Sequence, residues 1–421
     1  MQPERVLTPE ETPAERRTFF PKHEVRVLLL EGLHEVAVDA FKNQTFQVES
    51  LSKSLTTDQL KEKIANVHIL GIRSKTTVTK EILDCAKKLK AIGCFCIGTD
   101  QVDLDEAQIK GIPVFNSPFA NSRSVAELVL GEVIMLARKV TDASRGMHNG
   151  NWNKTASGCY EIRGKTIGII GYGHVGSQVS LLAESFNMNV LYYDIESKLP
   201  LGNAKECDNL EEVLKKSDFV TLHVPKTDLT EKMIAKPQLD LMKKGSYLLN
   251  LSRGSVVDLN DLRDALTSGH IAGCAVDVYP KEPSANGDGF VVPLQNCPNT
   301  ILTPHIGGST LEAQEAIGKE VSTKLIKYLN EGSTSGAVNF PQITMTNEFK
   351  GGHRLLNVHQ NRPGVLKIIN NILSDYNISA QWLNTTNKIG YLIVQVDTVM
   401  SRDLLRNIKA LDSSIQTRLL Y

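Results

Sequence analysis

The sequence predicts an α/β protein with two doubly wound parallel sheets and a smaller C-terminal module of the ferredoxin-like type. Strand-like apolar runs alternate with helical patterns from residue 25 to about residue 330, as in parallel sheets that helices cover on both faces. A glycine-rich turn follows one of the central strands, and the alternation changes after residue 347. At 421 residues the chain is also too long for a single core, so several domains are expected.

The composition is that of a globular protein without a broad charged surface. Lys plus Arg and Asp plus Glu both number 47, which argues against nucleic acid or an anionic membrane as a partner. No apolar run reaches the ~18 residues of a membrane span. Residues 1–24 lack the apolar core of a signal peptide and are predicted to form a flexible N-terminal extension. The seven cysteines are scattered, and Cys94 and Cys96 lack a second pair to complete a zinc site. Reduced thiols in a cytoplasmic protein without a metal are therefore predicted.

The first α/β series starts at residue 25. Strand-like runs cover residues 25–30, 67–72, 91–97 and 114–115, and helical patterns cover residues 33–41, 57–64 and 80–89. A long apolar-periodic helix follows over residues 124–137, with Ser122 or Ser124 as its cap. This helix leads into the second series.

The second series contains six predicted strands, over residues 166–171, 190–194, 219–223, 247–250, 273–278 and 300–303. Six strands with helices between them are typical of a dinucleotide-binding fold. A further helix is predicted over residues 311–329. The small polar residues at 332–336 then predict a flexible linker.

The tail follows a different pattern. Strands are predicted over residues 353–358, 378–383, 391–396 and 415–420, and helices over residues 364–374 and 402–411. This β-α-β-β-α-β order is that of a ferredoxin-like module. The tail contains no evident nucleophile or acid–base pair, so a regulatory role is predicted for it.

Residues 171–176 read Gly-Tyr-Gly-His-Val-Gly and predict a dinucleotide site. Gly171 ends a strand and permits the tight turn, Gly173 lets the backbone approach a pyrophosphate, and Gly176 allows close helix–strand contact. Asp194 ends the next strand about twenty residues later, where a carboxylate would accept hydrogen bonds from ribose hydroxyls. Ile195 stands where an arginine could neutralise a 2′-phosphate, so NAD is predicted rather than NADP. The alternative is a tight turn with a surface aspartate.

Arg253, Glu282 and His305 follow three further strands of the second series and form the candidate catalytic set. Ligands of an open parallel sheet bind beyond the carboxyl ends of its strands. Oxidation of a hydroxy acid needs a base for the hydroxyl proton, which suits His305. A carboxylate such as Glu282 would orient the ring, and Arg253 could clamp a substrate carboxylate. Taken singly, each residue also has a plainer structural explanation.

At these residues the chain resembles the D-isomer-specific 2-hydroxyacid dehydrogenases, and among them those that act on 3-phosphoglycerate. The resemblance extends from residue 25 to residue 421. It includes Gly71-Ile-Arg-Ser-Lys75, Asn151-Trp-Asn-Lys154, Gly168-Ile-Ile-Gly-Tyr-Gly-His-Val-Gly176, Thr303-Pro-His-Ile-Gly-Gly-Ser-Thr310 and Arg418-Leu-Leu-Tyr421. It implies a discontinuous substrate-binding domain (residues 25–120 and 308–336), a Rossmann NAD domain (residues 121–307) and an ACT domain (residues 347–421).

The resemblance also implies roles for individual residues. Arg253, Glu282 and His305 would be catalytic. The implied NAD contacts are Gly171, Gly173, His174, Val175, Gly176, Asp194, Leu251, Ser252, Arg253, Asp277, His305, Ile306, Gly307 and Gly308. The implied substrate contacts are Arg73, Ser74, Lys75, Asn121, Lys154 and Gln314. The implied contacts to a serine effector, at an interface between two ACT modules, are His359, Asn361 and Asn377.

The implied activity is NAD-dependent oxidation of 3-phosphoglycerate to 3-phosphooxypyruvate, the first step of the phosphorylated serine pathway, in a homotetramer inhibited by serine. Three alternatives stay open. The same machinery could reduce 2-oxoglutarate to 2-hydroxyglutarate, and the tail could serve only to stabilise an oligomer. From another class, the fold could belong to an NADH-sensing corepressor, although a corepressor needs neither the tail nor the cationic segment at residues 73–75.

Overall fold

The structure is a computed structural model that describes residues 21–283, 286–345, 353–398, 400 and 402–420. The predicted N-terminal extension therefore lies outside the described residues up to residue 20. The chain divides into two compact units. The first unit contains residues 1–118 and 315–421, and the second unit contains residues 119–314.

The first unit begins with a five-stranded parallel sheet in the order β2-β1-β3-β4-β5. Its strands are β1 (Arg26–Leu29), β2 (Gln47–Ser50), β3 (Ile69–Ile72), β4 (Ala91–Cys94) and β5 (Val114–Asn116). Its helices are α1 (Glu35–Lys42), α2 (Thr57–Ile64), α3 (Lys80–Cys85) and α4 (Leu104–Ile109). Strands β3, β4 and β5 are buried at every position, because helices cover both faces of such a sheet.

Strand β2 and helix α4 are elements that the sequence did not predict. Strand β2 pairs with β1 at the sheet edge and is largely exposed, so its residues show no apolar alternation. Helix α4 has only six residues, and its start is fixed by the Asp103 side chain, which accepts a hydrogen bond from the Glu106 N–H.

The second unit begins with α5 (Ser122–Arg138) and α6 (Val140–His148) and contains a seven-stranded parallel sheet in the order β12-β11-β10-β9-β6-β7-β8. Its strands are β6 (Thr166–Ile170), β7 (Asn189–Tyr193), β8 (Lys205–Glu206), β9 (Phe219–Leu222), β10 (Ser246–Asn250), β11 (Ile271–Val276) and β12 (Thr300–Leu302). Its other helices are α7 (His174–Ser185), α8 (Leu210–Lys216), α9 (Lys236–Leu241) and α10 (Leu259–Thr267). The six predicted strands are present, and β8 is a short addition at the edge.

Each of the two parallel sheets has its own apolar core, and each core contains a fully buried free cysteine. Cys94 lies on β4 in the core of the first sheet, and Cys274 lies on β11 in the core of the second sheet. Burial raises the pKa of both thiols, that of Cys274 to about 12. Both cysteines therefore behave as small apolar side chains.

Helix α11 (Leu311–Glu331) is the longest of the described helices. The predicted flexible linker after it is wrong. Thr334 is fully buried, donates from its hydroxyl to the Pro341 carbonyl and accepts from the Ile343 N–H. Ser333 is also buried. The small polar residues that suggested flexibility instead bond this loop to itself.

The tail forms an antiparallel sheet of four strands in the order β14-β15-β13-β16. Its elements are β13 (His353–Gln360), α12 (Val365–Ile372), β14 (Ile378–Thr385), β15 (Ile389–Val396), α13 (Arg402–Lys409) and β16 (Ser414–Leu420). This is the predicted ferredoxin-like order, and with it the predicted fold class is confirmed. Residues of α12 and α13 share a core with one face of the sheet.

The other face of this sheet contacts the C-terminal end of α11. The last carbonyls of a helix have no partner within the helix. Here Arg418 Nη2 donates to the Tyr328 carbonyl (3.2 Å), Arg354 Nη1 to the Glu331 carbonyl (2.9 Å) and the Tyr391 hydroxyl to the Gly332 carbonyl (2.7 Å). Two positive charges at the negative end of the helix dipole add to these bonds. We call these three side chains the helix clamp.

Candidate active site

The glycine turn between β6 and α7 has the geometry of a phosphate site. Gly171 adopts a φ of 91°, and a Cβ there would lie 2.5 Å from the His223 carbonyl oxygen. A Cβ on Gly176 would overlap the carbonyl oxygen of Gly171, so only glycine permits this closeness. Around Gly173, the residue that precedes α7, a Cβ would meet nothing within 4 Å, and no side chain caps the helix. The first N–H groups of α7 thus remain available to a pyrophosphate, and the residues fit NAD.

Asp194 follows β7 directly and faces this turn. Its Oδ2 accepts from the Tyr172 N–H at 2.8 Å, and its Oδ1 accepts from the Glu196 N–H at 3.0 Å. Each carboxylate oxygen has a second lone pair. Asp194 therefore stabilises the turn and retains acceptor capacity for ribose hydroxyls.

The loop after β10 is held by the buried side chain of Asn250. Its Oδ1 accepts from the N–H and the hydroxyl of Ser252, and its Nδ2 donates to the Arg253 carbonyl. A Cβ on Gly254 would overlap the backbone of Tyr279. The Arg253 loop therefore lies directly against the loop that leads to Glu282.

Glu282 and His305 form a hydrogen-bonded pair at the ends of two of these loops. His305 Nδ1 lies 2.8 Å from Glu282 Oε2, and Glu282 Oε1 accepts from the Tyr279 N–H. The hydrogen bond to Glu282 raises the pKa of His305 against the effect of burial. Burial acts to raise the pKa of Glu282, but its bond to His305 and the positive charges of His305 and Arg253 lower it overall. The pair is thus an ionisable acid–base group. Glu282 occupies Nδ1 of His305 and leaves Nε2 of the same ring available.

Asp277, at the end of β11, fixes the backbone around His305. The Asp277 carboxylate is almost fully buried. It accepts from the Thr303 hydroxyl (2.6 Å), the Ile306 N–H (2.8 Å) and the Gly307 N–H (2.8 Å). His305 adopts a left-handed φ of 55°, which is costly for a residue with a Cβ. These three bonds are what hold the ring where it meets Glu282.

Two predicted substrate residues converge on this loop within the second unit. Gln314 Nε2 donates to the Gly308 carbonyl at 3.1 Å, and a Cβ on Gly308 would overlap Asn121 Nδ2. Lys154 belongs to the same unit and is exposed, with Trp152 close to it in sequence and also exposed. The structure therefore does not connect Lys154 to the other site residues.

Arg73, Ser74 and Lys75 lie in the first unit, in the loop after β3. This loop is held by Glu31, whose carboxylate accepts from the N–H groups of Lys75 (3.0 Å) and Thr76 (2.8 Å). The role of Glu31 was missed in the sequence, since its partners lie 44 and 45 residues away. The side chains of Arg73 and Lys75 form no ion pair with other described residues, which leaves their charge for a ligand.

The predicted effector residues do not meet within one chain. His359 is buried and bonds Asn357, and Asn361 donates to the Thr386 carbonyl. Asn377 precedes β14 and donates to Asp397. In the sheet His359 pairs with Gly390, whereas Ile378 pairs with Val396. Asn377 therefore lies at the opposite end of the sheet from His359 and Asn361.

No group of three His, Cys, Asp or Glu side chains within the described ranges is arranged to hold a metal ion. Likewise, none of the described helices has the length and apolar character to cross a bilayer.

Known proteins are similar to this chain over almost its full length. Residues 130–307 match the family model of the D-isomer-specific 2-hydroxyacid dehydrogenase NAD-binding domain. The D-3-phosphoglycerate dehydrogenase of Dictyostelium discoideum is 58% identical over 404 residues, 96% of this chain and 99% of the relative. That of Escherichia coli is 50% identical over 410 residues, 96% of this chain and 100% of the relative.

Solved structures show the same fold over three quarters of the chain. A protein from Thermus thermophilus is 31% identical with a TM-score of 0.68, over 75% of this chain and 100% of its own. D-lactate dehydrogenase from Aquifex aeolicus, solved with NAD and lactic acid, is 27% identical with a TM-score of 0.66, over 75% of this chain and 100% of its own.

Proposed function

The chain belongs to the D-3-phosphoglycerate dehydrogenases, NAD-dependent enzymes of the D-isomer-specific 2-hydroxyacid dehydrogenase family, and we propose that it oxidises 3-phospho-D-glycerate to 3-phosphooxypyruvate. The observation that supports this most directly is the His305–Glu282 pair, 2.8 Å apart, on a loop that Asp277 fixes. In the same unit, the glycine turn and Asp194 form a dinucleotide site.

We assign the proton of the substrate hydroxyl to Nε2 of His305, because Nδ1 already faces Glu282. Bound at the glycine turn, NAD would supply the acceptor for the hydride from C2 of the substrate. As the proton arrives, Glu282 stabilises the imidazolium that forms. The guanidinium of Arg253 binds the substrate carboxylate and polarises the adjacent carbonyl as it develops.

Arg73, Ser74 and Lys75 are assigned to the phosphate of the substrate, with Asn121, Lys154 and Gln314 as further substrate contacts. Their cationic and hydrogen-bonding groups suit a dianion. The same groups suit the distal carboxylate of 2-oxoglutarate, so reduction of 2-oxoglutarate is the second candidate activity.

The test is a steady-state assay of the full chain with NAD and 3-phosphoglycerate, and with NADH and 2-oxoglutarate. We expect turnover of 3-phosphoglycerate and a fall of at least about 10²-fold in kcat for His305→Ala, which removes the acid–base group. His148→Ala, on α6, is the matched control. NAD binding without turnover of either substrate would favour a corepressor instead.

We further propose that serine inhibits the enzyme through the tail, and that the enzyme is a homotetramer. The separation of Asn377 from His359 and Asn361 within one chain supports a site that two antiparallel tails would complete. The seven free cysteines suit a reducing compartment, and our proposal places the enzyme in the cytoplasm. Inhibition of the full chain by serine, lost in Asn361→Ala, tests the regulatory part. A rate that millimolar serine leaves unchanged would contradict it.

A further inference from the structure

Glu132 is a buried acidic residue in the middle of α5 for which the reaction described above has no use. Its side chain is fully buried, and neither carboxylate oxygen has a hydrogen-bond partner among the described residues. Buried carboxylates are normally paired or hydrogen-bonded. A glutamate in this situation requires an explanation.

Helix α5 runs beneath the loop of His305, and its contacts can be followed residue by residue. Asn121, just before the helix, meets Gly308, and Val125 lies against Gly307. Further along, the Leu136 carbonyl accepts from Asn299 Nδ2 in the loop between β11 and β12. Glu132 follows Val125 by seven residues and therefore lies on the same face of the helix. That face points toward Asp277 and the end of β11.

Among the described residues, no positive charge compensates for a charge on Glu132. On and just after β11, Asp277, Cys274 and Tyr279 interact electrostatically with Glu132. The neighbouring helices α6 and α7 also carry titratable residues, but none of these shifts the pKa of Glu132. They are Asp142, Arg145, His148, His174 and Glu184. Strand β12 has no titratable residue. Burial first, and then the negative charge of Asp277, raise the pKa of Glu132 to about 8.

Asp277, by contrast, accepts three hydrogen bonds, from Thr303, Ile306 and Gly307. Its negative charge opposes a second charge on the buried Glu132. A neutral Glu132 therefore leaves undisturbed the three bonds that hold the left-handed conformation at His305.

We propose that Glu132 is a positioning residue of the reaction, and that its neutral form allows Asp277 to hold the His305 loop. Ionisation of Glu132 places a second negative charge beneath this loop, and the three bonds of Asp277 weaken. Glu132 therefore sets the alkaline limit of the enzyme without touching substrate or NAD.

The inference rests on the proposed function for its kinetic readout only. Glu132→Gln is nearly isosteric with the neutral acid and cannot ionise. Glu127→Gln is the matched control, since Glu127 lies on the same helix but is exposed and paired with Arg123. The kcat for 3-phosphoglycerate is measured from pH 6 to pH 10, and the midpoint of thermal unfolding, Tm, is measured without substrate over pH 5 to pH 10.

With a pKa of about 8, the unmodified enzyme should lose about tenfold in kcat by pH 9, since the protonated fraction falls tenfold per pH unit. Glu132→Gln should match it within about twofold at pH 7 and keep its rate at pH 9. Its Tm advantage should grow from about pH 5 to pH 8 and then level off, because the folded chain alone holds the proton in this window. Glu127→Gln should reproduce the unmodified chain throughout.

Superimposed pH profiles for Glu132→Gln and the unmodified enzyme would overturn the proposal, as would loss of activity in Glu132→Gln at pH 7 with an unchanged Tm. If the chain proves inactive on 3-phosphoglycerate, the Tm series still tests the premise. A Tm advantage of Glu132→Gln that does not grow from pH 5 to pH 8 would overturn the proposal, because Glu132 would then not be held neutral. Should Glu132→Gln fail to fold, infrared spectroscopy of the unmodified chain decides. A protonated carboxyl band at pH 7 that disappears by pH 9 supports the proposal, and its absence at pH 7 refutes it.

Discussion

His305 shows how the neighbours of one residue define its chemistry. The left-handed backbone, with a φ of 55°, is a cost that the Asp277 bonds offset, and the Glu282 bond sets the proton affinity of the ring. The sequence predicted His305, Glu282 and Arg253, because strand ends and residue types are visible in it. It did not predict the bonds of Asp277, because their partners lie 26 to 30 residues later in the chain. Nor did it predict the burial of Glu132, because α5 packs against β11, more than a hundred residues later.

Glu282→Gln should change the pH dependence of the reaction. The hydrogen bond and charge of Glu282 raise the pKa of His305, so the ring stays protonated up to a higher pH. Without the Glu282 carboxylate, the pKa of His305 falls. The acid limb of 3-phosphoglycerate oxidation should then move to lower pH, and kcat should drop by about 10²-fold as the ring loses its orientation. An acid limb at an unchanged pH would contradict the assigned pair.

Asp194→Ala should weaken NAD and reduce the discrimination against NADP. The loss of a charged acceptor for ribose hydroxyls costs about 1.5–3 kcal/mol, which is roughly ten- to a hundredfold in Kd. Asp194→Asn, which retains an acceptor for the Tyr172 N–H, separates the ribose contact from the stability of the turn. Binding of both dinucleotides by fluorescence titration measures the effect. An unchanged preference for NAD would remove the assignment of Asp194 to the ribose.

At the scale of elements, the structure corrects the sequence where polarity was taken for flexibility. Residues 332–336 are small and mostly polar, yet Thr334 is buried. Its hydroxyl donates to the Pro341 carbonyl and accepts from the Ile343 N–H. Strand β2 was not predicted, because it is an exposed edge strand and its residues show no apolar alternation. The long helices and the buried strands were predicted, since their residues follow a single period.

The helix clamp makes a stability prediction at this scale. Tyr391→Phe removes the hydroxyl that donates to the Gly332 carbonyl at 2.7 Å and leaves a buried acceptor unpaired. We expect a loss of about 1–3 kcal/mol in the free energy of unfolding, measured by urea denaturation, with kcat unchanged. Tyr160→Phe, at an exposed tyrosine outside the helix clamp, is the control. A fully stable Tyr391→Phe chain would show that the clamp contributes little.

At the scale of the whole molecule, the tail cannot be treated as a detachable part. Leu356, Val358 and Ile393 are buried together with the clamp residues Arg354 and Tyr391. A chain that ends near Gly332 would expose the end of α11, together with the apolar residues that the tail covers. Loss of serine response in such a chain would therefore not identify the effector site, and point substitutions in the full chain are the better test.

Mixed oligomers test whether two tails share one effector site. Chains with Asn361→Ala and chains with Asn377→Ala should each be insensitive to serine. Oligomers assembled from both should regain part of the inhibition, because one interface site in a two-fold pair receives both intact residues. The rate at saturating serine is the measurement. A mixture that stays as insensitive as its parents would mean that Asn361 and Asn377 do not act at a shared site.

The two buried thiols allow the opening of the two parallel-sheet cores to be measured separately. Alkylating reagents attack the thiolate, which burial suppresses at Cys94 in one core and at Cys274 in the other. Modification of either sulfur must await transient opening of the core that surrounds it. Peptide mass spectrometry of an alkylation time course would measure the rate of opening of both cores in one sample. It would reveal whether bound NAD slows Cys274 alone or whether the opening of Cys94 slows with it.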